Sequence, residues 1–193
     1  MNRTFKMIRR FTVPPVFAAV LLLTVYIAYP DVFGNLWMLL AGLLFLSVLP
    51  TLAYPLQKYI PRFKDRGREG QRTLAMLFSF VGYLFGTAVS FLFSESVVLK
   101  IIYLEYLLCG IGMLLLNKLF HLRASGHACG IVGPVIMLFY LGLYIPAAVG
   151  AALIVPVYLS SVKTREHTPV QLLGGSAIPV IVLCLLVGVR AFL

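Results

Sequence analysis

From Phe11 to Val189 the sequence alternates between apolar runs about as long as a bilayer's hydrocarbon core is thick and short basic interruptions. The runs extend from Phe11 to Tyr29, Asn35 to Leu56, Thr73 to Phe93, Val97 to Asn117, Ala128 to Val162 and Pro169 to Val189. The fifth is too long for one crossing, and Gly142-Leu143-Tyr144-Ile145-Pro146 offers a turn near its middle. Divided there, it gives two spans, each near the shortest length that crosses. The expected fold is therefore all-α: a polytopic membrane helix bundle of about seven transmembrane helices, six if that run stays whole, forming one integral membrane domain over residues 1–193. The chain is 61% hydrophobic and 11% charged, against about a quarter charged in ordinary soluble domains. A water-soluble fold of this size could not hide so much apolar surface.

The N-terminus does not read as a cleaved signal. The basic residues Arg3, Lys6, Arg9 and Arg10 precede an apolar run, but that run is long and Tyr29-Pro30-Asp31 lacks the small-x-small cleavage pattern. A retained first span is expected, with Pro14-Pro15 in its first turn, where the missing N–H is harmless. All but two of the remaining cations fall into three islands: Lys58 to Arg72, Lys118 to His127, and Ser160 to Gln171. With seven spans, the tail and all three islands share one membrane side, and of the 16 Lys and Arg only Lys100 and Arg190 lie elsewhere. That asymmetry is an orientation signal placing the islands in the cytoplasm. The net charge of +10 is thus assigned to topology, and no nucleic-acid partner is expected. Cys109, Cys129 and Cys184 lie in apolar runs without metal-ligand spacing, so they read as small buried hydrophobes. No metal and no cofactor are expected.

Two histidines stand where islands give way to helices: His127, in Ser125-Gly126-His127, and His167, in His167-Thr168-Pro169. Helix N-termini present N–H donors to anions, and arginine forks bind phosphate oxygens bidentately. One imidazole can attack phosphorus while the other protonates the leaving oxygen. The set suggests phosphoryl transfer through a phospho-histidine. The plain alternative is a pair of interfacial histidines among topogenic arginines.

The order and spacing of these islands resemble the type-2 phosphatidic acid phosphatase superfamily of membrane lipid phosphatases, over a phosphatase-like core of about 57–189. That family's pattern is Lys, six residues, Arg-Pro; then Pro-Ser-Gly-His; then Ser-Arg, five residues, His, three residues, Asp. Ser125, Gly126 and His127 match, as do Ser160, His167 and Arg72. The resemblance makes His167 the nucleophile and His127 the general acid for the leaving alcohol. It implies phosphate contacts from Arg72, Ser125 and Gly126, with Arg66 or Arg68 replacing the family's Lys and Lys163 or Arg165 its Arg. The chain departs from the pattern at Asp65 for Lys, Thr73 for Pro, Ala124 for Pro, Ser161 for Arg and Gln171 for the orienting Asp. Gln171, four residues after His167, lies on the same helical face, and its carbonyl could accept the Nδ1 proton. It brings no charge to stabilise an imidazolium. Asp65 either takes over as the orienting carboxylate or pairs with Arg66 or Arg68.

The expected activity is hydrolysis of a lipid phosphate or an isoprenoid phosphate or diphosphate, in the cell membrane of a bacterium or archaeon. The competing expectation is a catalytically degenerate relative that binds or moves phospholipid. Oligomeric state is not legible. Among the other polar residues, Glu69 and Glu166 read as ion partners of adjacent arginines, and Arg123 as a phosphate contact or a headgroup anchor. His121 reads as water-facing and Lys100 as snorkelling to the opposite interface. Glu105, deep in the fourth run, reads as structural, through a helix–helix hydrogen bond or a polar cavity.

Overall fold

A computed structural model describes residues 12–119 and 122–193; the basic tail and His121 lie outside them. The described residues form helices joined by short turns, with no strand among them. They are α1 (Pro14–Ala28), α2 (Leu36–Tyr59), the short α3 (Pro61–Lys64), α4 (Gly67–Phe93), α5 (Val97–Leu119), α6 (Gly126–Tyr140), α7 (Tyr144–Lys163) and α8 (Pro169–Val189). Helices α2, α4, α5, α7 and α8 are long and apolar enough to cross a membrane. Helices α1 and α6 are equally apolar but have 15 residues each, about 22 Å of helix at 1.5 Å per residue. The chain is an integral membrane helix bundle.

The division of the long fifth run falls where expected. Gly142 takes a left-handed φ of 77°, and the N–H of Leu143 bonds back to the carbonyl of Leu138 at 2.9 Å. This closes α6 with a glycine-dependent C-terminal motif. Elsewhere the helices outrun the apolar runs. Helix α4 begins at Gly67 rather than Thr73, α6 at Gly126 rather than Ala128, and α2 continues through Lys58 to Tyr59. Backbone hydrogen bonding does not stop where hydropathy does, so the polar first turns of α4 and α6 stand clear of the apolar belt.

Helix α2 carries one wider, π-helical turn at Leu44–Val48. Its cause lies just beyond it, at Pro50. A proline ring has no N–H and clashes with the carbonyl four residues back, here Leu46, and a local π turn absorbs that conflict. Gly82 of α4 packs directly on the Phe45 carbonyl in this turn, so α2 and α4 meet backbone to backbone. Helix α4 then packs on α5, α5 on α8, α8 on α6, and α6 on both α7 and α1; α1 returns to the π turn of α2. The centre of the bundle is α5, whose Leu99, Ile101, Ile102 and Tyr103 are completely buried. Cys109 and Cys129 are buried as expected, whereas Cys184 is exposed on the outer face of α8.

The connections sort to two ends. Residues 31–35 and 93–96 line one cavity, and residues 28–32, Val98, Tyr140, Leu141 and Arg190 line another beside it. The Tyr29 hydroxyl donates to the Leu141 carbonyl at 3.2 Å, joining the α1 and α6 ends there. The basic islands meet at the opposite end.

Candidate functional site

Helix α8 starts with a complete capping box. Thr168 is the N-cap, its Oγ1 accepts the Gln171 N–H at 3.3 Å, and the Gln171 Oε1 accepts the Thr168 N–H at 3.2 Å, with Pro169 in the first turn. The same Oε1 lies 3.2 Å from Nδ1 of His167. A backbone N–H can only donate, so the amide atom facing Thr168 is the oxygen. His167 therefore donates its Nδ1 proton to that oxygen, which orients the ring.

Helix α6 starts on top of this turn. Ser125 is its N-cap, Gly126 and His127 its first two residues. The Ser125 N–H donates to the Gln171 carbonyl at 2.9 Å. One turn further along α8, Gly175 packs on the Ser125 carbonyl with no room for a β-carbon. The approach to this point is also pinned, since the Ala124 N–H donates to Oδ1 of Asn117 on α5 at 2.6 Å. Two helix N-termini, each with a positive dipole end, thus lie side by side. A histidine stands at each, and both are within four residues of the Ser125–Gln171 bond.

The first island joins through Glu166. Arg72, in the second turn of α4, donates from Nη2 to Glu166 Oε2 at 2.6 Å, and Arg68, one turn earlier, places Nη1 3.6 Å from Oε1. These two partners of Glu166 come from α4, far from it in the sequence. The turn that presents it closes α7: Arg165 adopts a left-handed φ of 54°, and the Glu166 N–H bonds to the Ser161 carbonyl at 3.2 Å. All three islands are therefore tied together by specific bonds.

The other expected residues lie around this junction. Lys163 ends α7 and Arg165 follows it, both exposed. Arg66 is the exposed N-cap of α4. Asp65 is exposed at the end of α3, and the bond at His167 Nδ1 is to Gln171. Ser125 is completely buried, and its Oγ accepts the Ala128 N–H at 3.4 Å. The outward-facing part of its segment is Gly126, which is exposed, and His127, which is half-buried. Ser160 is buried, and its carbonyl accepts the Thr164 hydroxyl at 2.8 Å. Arg123 is exposed, with a left-handed φ of 47°. Two contributors had no signal in the sequence: Asn117, which looked like the end of an apolar run, and the Tyr158–Ser176 hydroxyl pair joining α7 to α8 below the site. Chemically, the junction combines an imidazole oriented through Nδ1, cationic forks and helix-end N–H groups.

Comparison with family models, with curated proteins and with solved structures returns no match.

Proposed function

We propose that this chain is a membrane phosphatase acting on a lipid phosphate or an isoprenoid phosphate or diphosphate, through a phospho-histidine. The observation that supports the reading is the single Gln171 oxygen shared by the Thr168 N–H and His167 Nδ1, which orients the imidazole through Nδ1; the reading assigns Nε2 as the nucleophilic atom. In the proposed reaction Nε2 attacks phosphorus, and the bond from phosphorus to the leaving oxygen breaks. His127 gives its proton to that oxygen, releasing the alcohol from a monophosphate or the lipid monophosphate from a diphosphate. Water then attacks the phospho-imidazole, with His127 taking its proton, and inorganic phosphate leaves. Arg72 and Arg68 turn from Glu166 to the phosphoryl oxygens, joined by the Gly126 N–H, where charge develops. Arg66, Lys163 and Arg165 form the cationic rim. An amphiphilic substrate suits a junction at the end of apolar helices, since its tail can stay in the bilayer. The charge asymmetry of the loops supports a cytoplasmic orientation.

The test is phosphate release from phosphatidic acid and from an isoprenyl diphosphate in mixed micelles. Wild type is expected to turn over at least one, with a phosphorylated histidine trapped on rapid quenching at alkaline pH. His167→Ala should abolish both turnover and trapping, and His127→Ala should lower turnover about 10²–10⁴-fold. Equal background release from wild type and His167→Ala would eliminate the enzyme reading. A second reading, a degenerate relative that binds phospholipid without hydrolysing it, is favoured by the occupation of Arg72 by Glu166 and by the uncharged Gln171. It predicts saturable lipid binding with no phosphate release.

A further inference from the structure

The candidate site leaves unexplained an acid at the centre of the bundle. Glu105 of α5 is 2% exposed, and neither of its carboxyl oxygens has a hydrogen-bond partner. The hydroxyl of Tyr106 is buried and unpartnered too. The expected helix–helix hydrogen bond is thus absent. The carboxyl faces the seam of three helices: a β-carbon on Gly133 of α6 would lie 3.4 Å from Oε1 and 3.5 Å from Cβ of Pro179 on α8. The titratable groups around it are Tyr106 and Cys109 on α5, Tyr83 on α4, whose ring lies 5.4 Å from that of Tyr106, and Cys129 on α6. Helix α8 contributes Ile178 and Pro179 to the seam. No cation is among these neighbours.

An ionised carboxylate so placed would cost more than the whole stability margin of a domain. A proton on Glu105 removes the charge, which is the costliest part of burying the group. A metal ion would need several more oxygen ligands than one carboxyl and one phenol, and no group of three or more His, Cys, Asp or Glu that could hold one occurs among the described residues.

We propose that Glu105 is a proton-binding site in the bundle interior, loaded at neutral pH and reactive toward hydrophobic carbodiimides. The reaction is an addition. The acid proton moves to a carbodiimide nitrogen, the carboxyl oxygen bonds to the central carbon, and the O-acylisourea rearranges to a stable N-acylurea with no leaving group. Releasing the proton without a reagent would require water or a cation to enter between α5, α6 and α8, so ionisation is tied to parting of those helices. The proposal is independent of the phosphatase reading.

The test treats the full chain in detergent at neutral pH with dicyclohexylcarbodiimide and, separately, with a water-soluble carbodiimide, and maps adducts by mass spectrometry. The expected result is modification of Glu105 by the hydrophobic reagent only, while the exposed Asp65 and Glu95 react with the water-soluble one. The adduct should vanish in Glu105→Gln. No adduct at Glu105 in wild type would overturn the proposal. So would protection of Glu105 by sodium or calcium ions, which would make it a metal site.

Discussion

Gln171 does two jobs with one atom, and its substitutions separate them. Glutamate keeps both acceptor bonds, since Thr-x-x-Glu is itself a capping box, and adds the charge that stabilises an imidazolium. Gln171→Glu should leave the melting temperature unchanged and raise phosphate release on the order of tenfold or more. Gln171→Leu should lose about 1 kcal/mol of stability and about 10²-fold or more in rate, read by thermal melting and by phosphate release on the same samples. Arg72 makes the opposite case. Its side chain is 63% exposed and that of Glu166 24%, so the pair contributes at most ~1 kcal/mol. Arg72→Ala should barely shift the melting curve while raising the half-saturating substrate concentration. The His167–Gln171 contact was expected from a shared helical face, but His167 precedes the N-cap Thr168 and lies outside α8; the contact forms because the capping-box side chain of Gln171 reaches back over that turn. The Arg72–Glu166 contact, across 94 positions, was not legible, because only the packing of α4 against the α7–α8 turn creates it.

Among the elements, the join between α6 and α8 is the one on which the site most depends. Gly175→Ala would drive a methyl into the Ser125 carbonyl, lifting the α6 N-terminus from α8 and stretching the Ser125–Gln171 bond. We expect a loss of about 1–3 kcal/mol together with loss of turnover. Gly188→Ala on the same helix meets nothing within 4 Å and should be neutral or stabilising by up to ~1 kcal/mol; melting in detergent compares the two. The helices themselves were largely visible in the sequence, because apolar runs bounded by Pro, Gly and charge leave few alternatives. The start of α4 was not, since its first turns are polar and helical at once. Nor was the π turn of α2: Pro50 announces a disturbance, but not whether the helix breaks, kinks or widens.

For the whole molecule, the two ends make a topological prediction. In a cysteine-free background, single cysteines at Lys64 and Thr164 should react with a membrane-impermeant thiol reagent from one side and a cysteine at Glu95 from the other, with the first two cytoplasmic. The convergence of the three islands could be inferred only as a shared side; which residues touch depended on packing. The bond from Arg72 to Glu166 then has a consequence for ligand choice. The site carries its own tethered anion, present at an effective concentration on the order of millimolar or above, which an incoming anion must displace. A dilute free ion loses that competition. A headgroup whose tail has already partitioned into the surrounding bilayer does not, because its local abundance is set by the lipid phase. Under the proposed reaction, the inorganic product would forfeit this advantage once cleaved from its tail, and the returning carboxylate would expel it.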